Sequence, residues 1–298
     1  MQSDSARQLV DLIRPLVSRD GYSATVLPDV TLMASTRPVP RTPLMYEPSL
    51  IVVAQGQKVG YLGDRTIHYN PGQYLVQTLP LPFECQTFAS QESPMMGIAV
   101  RIDAAMLSEL VHETVEDAAT LMDEDPLPMA SVAMTQSMHE AMVRLVRALH
   151  DPVDARVMGR ARVREVVYEA LKGEQGAALR ALVLNQGHYS RIVQVLSRIH
   201  ADFDREHTVE QLAEHASMSA SSFHQYFKQV TRTSPLQYLK RLRLIKARLL
   251  LAQDHVNVNQ AASAVGYRSV SQFSRDYKRY FSESPAQHRR LEVANAAS

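Results

Sequence analysis

The chain has 298 residues, room for two domains with separate cores, and its 45% hydrophobic and 21% charged content is ordinary for a soluble globular protein. No apolar run approaches the roughly 18 residues of a membrane span; the opening Met1-Gln2-Ser3-Asp4 lacks the basic and apolar regions of a signal peptide; and a single cysteine excludes an internal disulfide, which fits a reducing cytoplasm. The net charge of +1 hides a division: residues 1–180 carry −6, residues 181–298 carry +7, and Ser221 to Arg290 alone carry +10, either a solvated basic face or the footprint of a polyanion binder.

In chain order, the pattern predicts a helix over Ser5–Arg19, closed by a turn at Asp20-Gly21. Prolines at 38, 40, 43, 48, 71, 80, 82 and 94 then exclude long helices. Short β-rich runs at Ser49–Ala54, Lys58–Leu62, Arg65–Tyr69, Gln73–Thr78 and Met95–Ile102, with turns at Gly63-Asp64 and Asn70-Pro71-Gly72, predict a small barrel or sandwich. Cys85 falls in a further strand, Pro82–Phe88. Asp103 can cap a helix running to about Val115. Helical periodicity returns over Val132–His150 and Asp154–Leu171, broken by Asp151-Pro152. Met134, Met138, Met142, Leu145, Val146 and Leu149 share one apolar face, which either packs on the barrel or forms a dimer surface. Boundaries are expected near Lys172–Gly176 and Asn185–Gly187, with a short helix at Ala177–Leu184 between them. From Tyr189 the chain reads as helices and short turns.

The second part repeats itself. At an offset of 50 residues, Phe223 matches Phe273, Phe227 matches Tyr277, Lys228 matches Lys278, and Ser234-Pro235 matches Ser284-Pro285. Upstream the offset is 49, with Val209 opposite Val258 and Ala213 opposite Ala262, so one residue is inserted in the intervening turn. Each copy reads as a capped helix, a turn at Ser217-Met218 or Gly266-Tyr267, and a second helix capped by Ser219 or Ser269. This is a helix-turn-helix, over about 208–231 and 257–281. The apolar pairs at i, i+4 face inward. That leaves Ser221, His224, Gln225 and Lys228 in one copy, and Ser271, Gln272, Arg275 and Lys278 in the other, to face base edges and phosphates of a major groove. Ser234-Pro235 opens a long basic helix to about Gln253, carrying Lys240, Arg241, Arg243, Lys246 and Arg248. Its length is comparable to one turn of DNA.

These stretches, above all Ser234-Pro235-Leu236-Gln237-Tyr238-Leu239-Lys240 and Gly266-Tyr267-Arg268-Ser269-Val270-Ser271-Gln272-Phe273-Ser274-Arg275, resemble the AraC family of bacterial transcription regulators over about Tyr189–Leu291. The resemblance implies an α+β fold: a cupin-like N-terminal β-barrel (about 30–102) with helices (about 103–172), then an all-α domain of two helix-turn-helix units joined by a long linker helix. It implies regulatory and DNA-binding parts over 1–180 and 181–298, and a ligand-responsive activator. The base-facing residues would be Ser221, His224, Gln225, Val270, Ser271, Gln272 and Arg275, with phosphate contacts from Lys228, Lys240, Arg268 and Lys278. The expected partners are a double-stranded DNA operator, RNA polymerase, a small-molecule inducer and a second copy of the chain. The expected location is the cytoplasm, on the nucleoid. The family usually has Gly after each reading helix, where a left-handed backbone is easiest; this chain has Arg232 and Ser282.

Residues 30–125 also resemble the family's barrel-type regulatory domains, and Tyr74-Leu75-Val76 through Arg101-Ile102-Asp103 a subgroup whose inducers are mostly unknown. Some of its members are implicated in responses to aldehydes and other electrophiles. Tyr61, His68, Tyr74 and Cys85 are the candidate ligand residues. The lack of a charge-rich strand argues against a highly anionic ligand. A lone His68 argues against a metal, and no catalytic or cofactor motif is present. Cys85 is either a small buried hydrophobe or a sensor thiol. Two other readings remain: a regulator controlled by abundance or a protein partner, and a barrel enzyme with a DNA-binding tail.

Overall fold

The computed structural model describes residues 2–114, 126–184, 187–253 and 256–296. It divides into two units. One is built from Met1–Arg41, Tyr46–Pro80 and Glu84–Ser190; the other is built from Arg191–Ser298 with Thr42–Met45 and Leu81–Phe83. Among the described residues no helix is long and apolar enough to cross a membrane.

The first unit opens with α1 (Gln2–Ile13) and a 3-10 turn over Arg14–Leu16. The helix stops six residues short of Arg19 because Pro15 has no N–H to donate into the turn behind it. Ten strands follow: β1 (Gly21–Ala24), β2 (Val30–Ser35), β3 (Val39–Leu44), β4 (Ser49–Gln55), β5 (Gln57–Leu62), β6 (Arg65–Tyr69), β7 (Gln73–Gln77), β8 (Phe83–Phe88), β9 (Met95–Arg101) and β10 (Met129–Ala133). They form a six-stranded sheet in the order β1-β2-β9-β4-β7-β10 and a four-stranded sheet in the order β3-β8-β5-β6. The β5–β6 hairpin closes at Leu62↔Arg65, with Gly63 at φ +61°. Pro40 and Pro43 are tolerated because β3 is an edge strand.

The helices of this unit are α2 (Ala104–Thr114), α3 (Gln136–Ala148), α4 (Pro152–Lys172) and α5 (Gly176–Arg180). Asp103 caps α2, its Oδ1 accepting from the Met106 N–H at 2.8 Å; Val115, its expected end, and Asn185, at an expected boundary, lie outside the described residues. Val132 was expected in a helix but lies in β10, paired with Tyr74 of β7. The helical run begins only after Thr135, whose hydroxyl accepts from the Met138 N–H. Asp151 caps α4, with Pro152 in its first turn.

The six-stranded sheet is covered on one face by the helices. Leu50, Val52, Tyr74, Val76, Ile98 and Val100 share a core with Met138, Met142, Leu145, Val146 and Val167. The methionine-bearing face of α3 therefore packs within its own chain, and any dimer must use another surface. Met142, with no exposure, should behave as core. Met142→Ala is expected to cost about 2–5 kcal/mol, with a denaturation midpoint that does not change with protein concentration. A midpoint that falls on dilution would place the residue at an intermolecular contact.

Candidate nucleic-acid interface

The C-terminal part of the chain is helical: α6 (Gly187–Ala201), α7 (Val209–His215), α8 (Ala220–Thr231), α9 (Pro235–Leu251), α10 (Val258–Ala264), α11 (Val270–Phe281) and α12 (Pro285–Ala296). The repeat is visible in its caps. Thr208 with Gln211, and Asn257 with Gln260, form reciprocal capping boxes. Ser219 and Ser269 accept from the Ser222 and Gln272 N–H groups to start α8 and α11. The turns match at offset 49: the Met218 N–H donates to the Ala213 carbonyl and the Tyr267 N–H to that of Ala262, both at 3.0 Å. Ser217 and Gly266 both take positive φ, +52° and +78°. From Ser219 and Ser269 the offset is 50. The inserted residue is therefore Arg268, whose side chain is 85% exposed and pairs with Glu206 at 2.9 Å.

Phe223 and Phe227 pack edge to face with centroids 5.4 Å apart, and Phe227 packs on Tyr238 of α9 at 5.7 Å. Phe273 and Tyr277 form the second core at 5.6 Å. With these faces buried, Ser221, His224, Gln225 and Lys228 are exposed on α8, and Val270, Ser271, Gln272, Arg275 and Lys278 on α11.

Lys240 is placed differently from the other phosphate candidates. Its Nζ lies 2.8 Å from Asp276 Oδ2, and the Asp276 side chain is 4% exposed. Asp276 also receives bonds from Gln272 Nε2 at 3.0 Å, Arg279 at 2.7 Å and the Tyr267 hydroxyl at 3.4 Å. Burial pushes the Asp276 carboxyl up, but the hydrogen bonds from Lys240 and Gln272, with the charges of Lys240 and Arg279, outweigh it and hold the group below the usual carboxylate range. Its contribution to stability is thus complete above about pH 4 and is lost as pH falls through the depressed folded value.

Two further α9 cations are engaged within the unit. Arg243 donates to the carbonyls of Phe203 (2.7 Å), Arg205 (2.7 Å) and Gly266 (3.4 Å). Arg248 pairs with Glu283 at 3.2 Å and lies over the Phe281 ring. Sequence reading missed Asp276 and the Arg243 contacts; the available signal was a lone carboxylate four residues after Gln272 on an otherwise basic helix. Both α8 and α11 end in a left-handed residue, Arg232 at φ +58° and Ser282 at φ +63°, whose backbone N–H groups donate to the Lys228 and Lys278 carbonyls. The glycine-type ending is kept without glycine.

The first unit separates the four ligand candidates. Cross-strand partners share a face, so Lys58, Gly60, Leu62, Ile67, Tyr69, Cys85 and Thr87 lie together on the buried side of the four-stranded sheet. Tyr61 and His68 lie on its other side, where Tyr61 is stacked by Arg41 and His68 is exposed. Tyr74 points to the helical layer, its phenol pushed up to about 12 by burial and by Glu174 and Glu169. Cys85 alone faces inward, its Sγ 3.1 Å from the Tyr69 hydroxyl. Tyr69 is hydrogen-bonded to Tyr46, and Tyr46 to Tyr22 of β1, so a line of phenols links the two sheets. Burial first, and neighbouring phenols and the thiol next, push Tyr46 well above the ordinary phenol range. Lys58 also faces inward, 5% exposed, its Nζ 3.1 Å from the Thr87 hydroxyl, with no carboxylate partner among the described residues. Gln77 is fully buried, and its side-chain oxygen has no hydrogen-bond partner among the described residues. No group of three or more His, Cys, Asp or Glu among the described residues could hold a metal.

Residues 26–178 match the family described as AraC-type transcriptional regulator N-terminus, and residues 212–291 match the helix-turn-helix domain family. The HTH-type transcriptional regulator AlkR of Acinetobacter baylyi is 38% identical over 101 residues, 34% of this chain and 33% of that protein. The transcriptional activator RhaS of Salmonella agona is 32% identical over 147 residues, 48% of this chain and 50% of that one. The chain thus spans a third to a half of these relatives' length. In fold it is similar to ToxT of Vibrio cholerae, solved with a bound unsaturated fatty acid: TM-score 0.58, 7% identity, covering 91% of this chain and 97% of that one.

The turn geometry yields a paired expectation. A Cβ on Gly266 would lie 2.1 Å from the Asp204 carbonyl oxygen, so Gly266→Ala should destabilise by more than the roughly 1–2 kcal/mol of a left-handed alanine. Arg232→Gly and Ser282→Gly relieve that same strain and should each stabilise by up to about 1 kcal/mol. Urea denaturation of the three variants checks both signs.

Proposed function

The chain belongs to the AraC-type transcriptional regulators, and we propose that it reads two successive major grooves of an operator with α8 and α11. The observation that carries this is the exposure, at repeat-equivalent positions, of short polar and basic side chains on two helices whose opposite faces are locked into aromatic cores. Ser221, His224, Gln225, Val270, Ser271 and Arg275 are the base-facing set, and Gln272 stands among them with its amide bonded to Asp276 and Arg275. Lys228, Arg268 and Lys278 are the phosphate set, with Lys240 engaged by Asp276. Relatives such as RhaS are named activators, and activation through RNA polymerase is the mode in this reading. A homodimer belongs to it as well, through the stripe of Val153, Val157 and Tyr168 left exposed on α4; sedimentation of Val157→Asp against the parent chain tests that face.

Binding of the full chain to a site selected from randomised duplex DNA should weaken steeply with salt, because each neutralised phosphate releases counterions. Arg275→Ala should cost about 1–3 kcal/mol and relax preference at one guanine. Equal loss on every sequence would make Arg275 a phosphate contact, and no salt-dependent binding would overturn the reading.

The signal sensed is a small molecule with an acidic group, held between the two sheets. Support comes from the inward ammonium of Lys58, bonded among the described residues only to the neutral Thr87 hydroxyl, beside the Tyr46–Tyr69–Cys85 line and the Gln77 side-chain oxygen, which has no hydrogen-bond partner among those residues. A buried charge without a counter-charge is costly unless something compensates it. This departs from the sequence expectation that the strands disfavour an anionic ligand, since Lys58 was not expected inside. A fatty acid bound to ToxT is an acid of this kind. Lys58→Met should leave the unliganded chain as stable or more stable. It should abolish the thermal shift produced by a panel of short- and long-chain carboxylic acids, including oleate. A variant that melts far lower without ligand would make the ammonium structural.

A further inference from the structure

The two helix-turn-helix units share a backbone plan but not a polar network. In the second unit, Asp276 Oδ2 accepts from Gln272 Nε2 at 3.0 Å, and Gln272 Oε1 accepts from the Arg275 guanidinium at 2.8 Å. These bonds fix the Gln272 amide with its oxygen towards Arg275 and its nitrogen towards the buried carboxylate. Both ends of the amide edge that could grip an adenine are already occupied. Arg275 still has guanidinium N–H groups for a base. At the equivalent positions of the first unit stand Tyr226 for Asp276, Ser222 for Gln272 and Gln225 for Arg275. No comparable carboxylate is available there.

Resting on the reading that α11 enters a major groove, we infer that Asp276 is a positioning residue: through Gln272 it holds Arg275 in register, making the second unit the more discriminating of the two. The same carboxylate withholds Lys240 from the DNA backbone. Lys240 Nζ lies 2.8 Å from Asp276 Oδ2, and an ammonium engaged by a buried carboxylate does not neutralise a phosphate. Sequence discrimination and non-specific attraction are thereby traded at one side chain. An Arg held before binding loses less rotamer freedom when it meets its base, so more of the hydrogen-bond energy appears as selectivity.

The test uses the full-length chain and a site selected by that chain from a randomised duplex library. Asp276→Ala should lose about tenfold in discrimination at the base pair read by Arg275, within the range of one bidentate base contact. Its salt dependence should become steeper by about one phosphate equivalent, because Lys240 is released. A merely structural role predicts the reverse for salt: a damaged unit makes fewer contacts and a shallower slope. Lys240→Met should keep the discrimination, since the Asp276–Gln272–Arg275 chain survives it. Asp276→Asn, which keeps the shape and an acceptor for Gln272, should fall between parent and Asp276→Ala in discrimination, so the test stands even where the alanine variant folds poorly. Unchanged discrimination at that base pair in both Asp276 variants overturns the inference. Absence of any selected site for the parent chain overturns the DNA-reading premise instead.

Discussion

The helical unit turns on one guanidinium. Arg243 sits midway along α9 and donates to three backbone carbonyls, those of Phe203 and Arg205 before α7 and that of Gly266 in the second turn. These carbonyls belong to the loop before α7 and to the second turn, and one guanidinium ties all three together. A planar fork can serve several acceptors at once where a lysine ammonium, a point charge on a flexible stem, cannot. Burial pulls the Arg243 pKa below its ordinary value, opposed by Tyr267, Asp204 and Glu206, and the group stays charged at any physiological pH. The Arg243 contacts draw the loop before α7 against the second turn so closely that only glycine fits at 266. One contact thereby sets where the second turn begins, and with it where α11 starts.

This changes what the basic excess of the C-terminal part means. Of the five cations on α9, Lys240, Arg243 and Arg248 are engaged by a carboxylate, by carbonyls, and by a carboxylate with an aromatic ring. The linker helix is cationic largely because it holds the unit together. Charge outside such contacts includes Lys228 and Lys278 on α8 and α11 and the exposed Arg268 of the second turn. Arg268 does pair with Glu206, but at 85% and 75% side-chain exposure such a pair is worth little. A charge count along the sequence sums these two populations and cannot separate them.

What was legible in the sequence followed from local rules. Capping residues, Ser-Pro starts and i, i+4 aromatic pairs define the repeated helices, because each is satisfied within a few residues of its own position. Gly63-Asp64 marks a hairpin for the same reason. What was not legible depended on distant partners. β10 is a strand because it pairs with β7, some fifty residues earlier; alone, Val132 fits the helical face that follows. The inward residues of the strands were equally hidden. β4 is buried at six successive positions, since one face of its sheet meets helices and the other does not meet solvent, so alternation carries no inside or outside. On the four-stranded sheet the alternation survives but its phase does not announce itself. Tyr61 and Lys58 differ by an odd step, and the hydrophobic scale would send the lysine out and the tyrosine in. The structure does the opposite.

Asp276 was hidden in a similar way. On sequence grounds it is an acidic residue on a basic helix, which reads as a solvated charge or a helix-surface pair. Its burial follows from its place on α11, three residues past Phe273 and adjacent to Tyr277, so that it falls on the core-facing side where the other buried positions are aromatic. A carboxylate there requires several donors, and Lys240, Gln272, Arg279 and Tyr267 supply them from two helices and the turn. Two of these donors, Lys240 and Gln272, are residues that the groove-facing pattern alone assigns to DNA. The chemistry that satisfies one buried charge thus decides which polar side chains of α11 and α9 remain available outside. The first helix-turn-helix, with Tyr226 in place of the aspartate, has no carboxylate at that position. Two copies built to one backbone plan thus carry different polar surfaces, and in the second the core-facing Asp276 engages side chains that would otherwise lie free.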